Sequence, residues 1–304
     1  MKNNVILGDC LEVMPQIEDG SIDMILCDPP YGNMRGASLD GWSNQTTEWD
    51  TIIDTNKLFE QYNRILRMNG CLVMFSQEPY TSSLITNAHG NIPFSYRMIW
   101  LKDHFANALV ANVAPVSYYE DIVVFFKTYD TTMQHPIRNY TKNLFNFIGK
   151  TKKELFQEMG HQGICHFMRY DSMQFDICTK KTYEQLCSLY GIINQEWFKS
   201  YEEIQEINKR FNKRFNLWDG KKFKSNVLQY KKDYRGEHPT QKPVLLFEDL
   251  IKTYTNEGDL VLDNCAGSGT TAIACINLNR NYILIEKEQE YIDIINKRIH
   301  ETIR

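Results

Sequence analysis

No stretch of the 304 residues holds the roughly eighteen consecutive apolar side chains that a membrane-crossing helix requires, so a membrane span is not expected. The opening residues, MKNNVILGDC, lack the apolar segment of a secretory leader, and an intracellular, cytoplasmic setting is expected. Eight cysteines are scattered without a Cys-x-x-Cys pair, and several fall in apolar patterns as small hydrophobes. His161, Cys165 and His166 cluster locally, but no second set of ligands stands at zinc spacing and no metal is expected.

What is present is a chain able to bury a sizeable core, as one large domain or one domain with an insertion. Its net charge of −4 is unevenly spread. Residues 127–236 carry 20 Lys and Arg against 12 Asp and Glu, while the remainder carries 14 against 26. The split predicts a basic, polyanion-binding module on an acidic body. A solvated charged surface is the plainer alternative.

The chain is organised around IDMILCDPPYG, residues 22–32. Met24, Ile25 and Leu26 read as a buried parallel strand, and two prolines must end it because neither can donate to a ladder. Asp28 and Tyr31 are thereby held at a carboxyl-terminal strand edge, where open α/β sheets place ligands. The Pro29 and Pro30 carbonyls still accept hydrogen bonds. The tip is rigid, rich in acceptors and carries one aromatic face, which suits a flat group bearing an NH2. An ordinary strand-end turn with a surface Asp is the bland alternative.

Strand candidates precede and follow it: Asn4 to Leu7, Cys71 to Phe75, Tyr96 to Leu101 and Asp121 to Phe126. A helix-like stretch carries Leu11, Val13, Met14 and Ile17, and a second, capped by Thr55 and ended by Gly70, carries Leu58, Phe59, Tyr62, Ile65 and Leu66. The alternation predicts a mostly parallel α/β sheet. The long polar connection over residues 32–54 is of the kind that is functional or mobile. Past Lys127 the rhythm changes to short helices: one with a Thr151–Glu154 capping box, one opened by Lys181-Thr182 and closed by Gly191, and one over Glu202 to Phe215. Phe167, Tyr170 and Phe175 lie in the loops between them. Basic residues interleaved with aromatics suit phosphate contact and base stacking, although a small core for this region is the favoured reading of each aromatic.

After Arg235 the α/β pattern resumes with HPTQKPV, a helix over Leu245 to Tyr254, a strand over Asp259 to Leu262, and the turn DNCAGSGTT over residues 263–271. A strand over Tyr282 to Ile285 ends in Glu286, and the last helix covers Gln289 to Ile303. Strand, Gly-rich turn and helix, with an acid closing the next strand, form the general device for an adenosine cofactor. Gly267 and Gly269 allow close backbone approach, and Glu286 lies where an acid takes ribose hydroxyls. No Gly-Lys-Ser/Thr follows this turn, so it is not a P-loop.

DPPY (Asp28 to Tyr31), HPTQKPV and DNCAGSGTT, in that order, resemble the beta class of S-adenosylmethionine-dependent amino-methyltransferases of DNA. The resemblance covers residues 1–127 and 236–304 and implies a circularly permuted, seven-stranded Rossmann-like methyltransferase sheet. In it the strands starting at Asp259, Tyr282, Asn4 and Ile22 are the first four. Residues 128–235 would be a mainly helical inserted target-recognition region. By the same resemblance, Asp28, Pro29, Pro30 and Tyr31 are catalytic. S-adenosylmethionine would be bound by Asp9, Cys10, His238, Thr240, Lys242, Asp263, Ala266, Gly267, Ser268, Gly269, Thr270, Glu286 and Lys287. Asp9 would read the adenine amino group and Glu286 the ribose, while His238, Thr240 and Lys242 would complete the methionine pocket. WLK (Trp100 to Lys102) and YEDIVVF (Tyr119 to Phe125) resemble strands that shape the target-base pocket. Asn264 and Cys265 depart from the family's Pro and aromatic.

The implied partner is double-stranded DNA with one base flipped out and stacked on Tyr31, as in restriction–modification enzymes. The implied reaction is direct transfer to adenine N6, with cytosine N4 as the alternative, since SPPY is the commoner N4 form. RNA or protein amine methylation and a silent DNA-binding protein are the remoter alternatives. No Pro-Cys dipeptide of the carbon-5 cytosine enzymes is present. Members of the class are often dimers, but no residue here indicates a homodimer, a recognition site or a partner endonuclease.

Overall fold

The structure is a computed structural model describing residues 2–32, 50–106, 111–128, 135–172, 174–217, 220–233 and 241–304. The chain forms two compact units. The first comprises Met1–Leu66, Gly70–Lys127 and Lys213–Arg304, and the second Arg67–Asn69 and Thr128–Asn212.

The first unit is built on one sheet of eight strands: β1 (Asn4–Leu7), β2 (Ile22–Cys27), β3 (Leu66–Ser76), β4 (Phe94–Ala106), β5 (Ser117–Phe126), β6 (Val227–Gln229), β7 (Leu260–Asp263) and β8 (Asn281–Glu286). Their order is β1-β8-β7-β2-β3-β5-β4-β6. All pairings are parallel except β3 with β5 and β4 with β5. Among the described residues the sheet therefore has one strand more than the expected seven. The addition is β6, whose three residues pair with Ile99 to Leu101 and are too few to announce a strand in the sequence.

β2 is buried along its whole length because both faces of the sheet are covered. Met24 and Leu26 enter a core completed by α8 (Val244–Tyr254), α9 (Thr270–Asn277) and α10 (Gln289–Ile303). Ile25 and Cys27 enter another, completed by α1 (Cys10–Val13), α2 (Thr55–Ile65) and α3 (Tyr80–Thr86). Each fully buried aliphatic side chain here contributes about 1.5–3 kcal/mol.

Three local expectations are corrected. Asp54, not Thr55, caps α2, its carboxylate accepting from Asn56 N at 3.0 Å and Lys57 N at 3.2 Å. The helix ends before Gly70, because Leu66 turns extended and is buried in β3 opposite Ile22. Pro15 splits the first helical stretch, leaving α1 followed by a 3-10 turn over Met14–Gln16. Of the connection over residues 32–54, residues 33–49 lie outside the described residues. Among the described residues no helix is long and apolar enough to cross a membrane.

The second unit is helical: α4 (Pro136–Ile148), α5 (Lys152–Met159), α6 (Lys180–Leu189) and α7 (Tyr201–Phe211). The Thr151–Glu154 capping box is formed, and α7 carries a second one between Ser200 and Glu203. Ile137, Leu144, Leu155, Phe167, Leu186 and Ile204 make a fully buried core, with Tyr170 and Phe175 packed against it. These aromatics are thus structural and not open stacking platforms. His161 Nε2 lies 3.0 Å from Gln185 Oε1, and His166 Nδ1 lies 3.0 Å from the Gln174 carbonyl.

The charge expectation changes with these boundaries. Residues 128–212 carry 11 Lys and Arg against 10 Asp and Glu, a near balance. The basic excess resides in residues 213–235, with 8 against 2, and the described part of that segment belongs to the sheet unit.

Candidate active site

Asp28 to Tyr31 leave the sheet where β2 stops. One Asp28 oxygen, Oδ1, accepts from the Tyr31 hydroxyl and the other, Oδ2, from Lys242 Nζ. The Tyr31 ring stacks at 6.0 Å and 30° on Tyr80, which is buried. Burial pushes the Asp28 carboxyl upward, and the Lys242 ammonium counteracts most strongly. Lys242 Nζ also lies 3.2 Å from Glu120 Oε2, and Glu120 Oε1 accepts from Lys102. Glu120 stays below the ordinary carboxylate value despite burial, because two ammonium groups face it.

The other end of the site is built by β7, β8 and the turn between β7 and α9. Glu286 closes β8, and its carboxylate accepts three backbone N–H groups: Gly267 at 2.8 Å, Lys287 at 2.9 Å and Glu288 at 3.0 Å. It is thereby fixed at the strand end, although burial still raises its pKa. Ser268 Oγ donates to Gln241 Oε1 at 2.8 Å, tying the turn to the segment before α8, and Arg298 donates to the Ser268 carbonyl at 2.6 Å, tying it to α10. Asp9 caps α1, accepting from Leu11 N at 2.7 Å.

Asp263 is buried and accepts from Thr271 Oγ1 and from Cys265 N at 3.1 Å. Burial moves its pKa to about 7. The folded chain thus holds a proton there that the unfolded chain, with an ordinary carboxylate near pH 4, releases. The Asp263 contribution to stability therefore falls as pH rises from about 4 to about 7. Asp263→Asn is expected to flatten that limb, which melting temperatures measured across this range will reveal.

One cavity of about 450 Å³ joins the two ends, a size suited to a small-molecule ligand. Asp28, Pro29, Pro30 and Tyr31 line it at one end. Asp9, Cys10, Lys242, Asp263, Ala266, Gly267, Ser268, Thr270, Glu286 and Lys287 line the rest. Gly269 is not among the lining residues. Its φ is +80° and an added Cβ would lie 2.8 Å from Ile295 Cγ1, so this glycine serves the packing of α9 on α10. His238 and Thr240 lie outside the described residues. Gln241, Glu120 and Ile52 also line the cavity, though none was singled out in the sequence. The adjacent acids Glu120 and Asp121, opening the apolar IVVFF run of β5, were the available signal for Glu120. Asn264, which departs from the family pattern, accepts from the buried Tyr62 hydroxyl at 2.8 Å.

The model of the DNA methylases, covering N6 and N4 methyltransferases, matches residues 22–297. The chain belongs to the DNA methylase family. The type II methyltransferase M2.MboI of Moraxella bovis is 24% identical over 98% of this chain and 88% of its own length. The DNA adenine methyltransferase YhdJ of Escherichia coli is 26% identical over 97% of this chain and 82% of its own length. Among solved structures, the complex of M1.HpyAVI with S-adenosylmethionine is similar at a TM-score of 0.53, with 19% identity, over 97% of this chain and 98% of that one. The cytosine-N4-specific PvuII DNA methyltransferase is similar at a TM-score of 0.55, with 14% identity, over 99% and 91%. These likenesses place the sheet unit in the Rossmann-like methyltransferase fold. S-adenosylmethionine is the cofactor of this methylase family, and the cavity fits it: a fixed carboxylate stands at one strand end, backbone is bare at Gly267, and a second carboxylate faces from the far end.

Proposed function

We propose that the chain methylates the exocyclic N6 of adenine in double-stranded DNA, at a specific site, with the target base flipped out of the duplex. The observation carrying this reading is that Asp28, Gly267 and Glu286 line one continuous cavity. When bound, S-adenosylmethionine supplies a methyl group on a sulfonium centre. Glu286 would hold the ribose and Asp9 the adenine end, while Gly267 and Ser268 cradle the rest.

Asp28 and the Pro29 carbonyl would accept the two N–H bonds of the target amine. An exocyclic amine is a weak nucleophile because its lone pair is delocalised into the ring. Two fixed acceptors let it rehybridise and direct that lone pair at the methyl group, so positioning and preorganised polarity supply the acceleration. Tyr31, itself backed by Tyr80, offers the stacking face for the extruded base. Adenine is preferred over cytosine because the motif begins with Asp28. Target selection is assigned to residues 128–235, whose basic excess lies in residues 213–235.

The test is to incubate the protein with labelled S-adenosylmethionine and unmethylated duplex DNA, digest to nucleosides and separate them by mass. N6-methyladenine is expected. N4-methylcytosine would transfer the reading to the other amine, and an unlabelled digest would refute it.

A further inference from the structure

We infer that Lys242 is a positioning residue for Asp28, locked in place by Glu120 and Lys102 in a buried row of alternating charges, and is not a ligand of the cofactor's methionine end. The inference rests on the transfer reaction proposed above. Asp28 stands at the end of β2, Lys242 just before α8, Glu120 near the start of β5 and Lys102 on β4. Four elements distant in sequence thus converge on one row. The Lys242 ammonium bridges Asp28 Oδ2 and Glu120 Oε2, and Lys102 holds the other Glu120 oxygen. Side-chain exposure is 2% for Lys102, 11% for Glu120 and 6% for Lys242, and rises to 20% at Asp28, the most exposed of the three members that line the cavity.

Burying four charges costs several kcal/mol per ion, and a packed apolar substitute is often as stable or more so. Stability alone is therefore a poor reason for the row. Its effect on Asp28 is specific. Tyr31 engages one oxygen and Lys242 the other, so the carboxylate plane is gripped at both ends. Each oxygen keeps a further lone pair for an incoming N–H. The grip is itself held. Lys242 Nζ lies 5.3 Å from the Phe75 ring centroid, Phe75 stacks on Phe247 at 5.4 Å, and Lys102 Nζ lies 5.2 Å from the Trp100 ring centroid.

Charge gives the row its second effect. Asp28 and Glu120 are like charges in a buried site, and the interposed Lys242 is the cation that offsets both. Tyr31, Cys27 and Asp263 also feel the Asp28 charge, and none of them is a cation. Without Lys242, Asp28 would take up a proton at a higher pH than in the wild type, and there an acceptor needed by the amine would become a donor.

The experiment compares the full-length wild type with Lys242→Met, Lys242→Arg and Glu120→Gln. Single-turnover methyl transfer to unmethylated duplex DNA is followed from pH 5 to 9, with S-adenosylmethionine affinity measured by equilibrium dialysis. Lys242→Met is expected to move the acid limb of the rate upward by about one pH unit or more, because an opposing charge has gone. Its plateau rate should fall about 10²-fold while cofactor affinity stays within about threefold. Lys242→Arg should return the limb toward its wild-type position. Glu120→Gln should move it the other way, since a neighbouring negative charge is removed. An unmoved limb in Lys242→Met with affinity weakened tenfold or more would make Lys242 a cofactor ligand and overturn the inference. So would an upward shift in Glu120→Gln, which decides the matter alone if Lys242→Met does not fold. A wild type that transfers no methyl group to DNA would instead remove the underlying reading.

Discussion

Replacing Asp28 by alanine is expected to reduce methyl transfer by at least about 10³-fold while leaving S-adenosylmethionine affinity within a few-fold of the wild type. The two outcomes separate because the cavity has two ends. Glu286 is fixed by three backbone N–H groups and draws nothing from Asp28. Lys242 also survives the change without becoming an unpaired buried cation, since Glu120 remains 3.2 Å away. Single-turnover rates with duplex DNA, alongside equilibrium binding of the cofactor, provide the measurement. Turnover close to wild type would eliminate the carboxylate from the chemistry. A joint loss of rate and affinity would mean that the two ends are not independent.

The second large effect concerns stability. Arg214 → Ala is expected to cost about 3–5 kcal/mol, read as a lowered urea midpoint. Arg214 bridges Asp259 and, at 3.5 Å, Asp23, and all three side chains are 7–12% exposed. Asp23 also accepts from Leu260 N at 2.9 Å, joining the starts of the adjacent strands β2 and β7. Truncating the arginine leaves two buried carboxylates facing each other. Pairing it with Asp259→Asn should recover part of the loss, because one of those charges is then gone. A change below about 1 kcal/mol would place the clasp among the weak surface pairs.

The parts of the fold legible in the sequence are those whose signal is local. β2 shows as an apolar run stopped by two prolines, and α10 as a one-sided stripe of Tyr291, Ile292, Ile295 and Ile299. The Gly267 turn and Glu286 show because backbone approach and an acid at a strand end have few other uses. α4 does not show, although Pro136 suits a first helical position: it is capped by His135 Nδ1, which accepts from Ile137 N at 3.2 Å, and histidine is not among the usual caps. The buried charge row is invisible for another reason. Its members are residues 28, 102, 120 and 242, and only sheet order brings them together. Reading charge over residues 127–236 as one block likewise merged a balanced helical unit with a basic segment that folds into the sheet.

The chain leaves the sheet unit after Lys127 and re-enters it at Lys213, whose ammonium lies 3.7 Å from the ring centroid of Phe126. Departure and return are thus next-door neighbours, so whatever is strung between them need only begin and end at one doorstep. The cost of closing such a span grows only with the logarithm of its length. A span of another length between the same two points would therefore close at little extra cost.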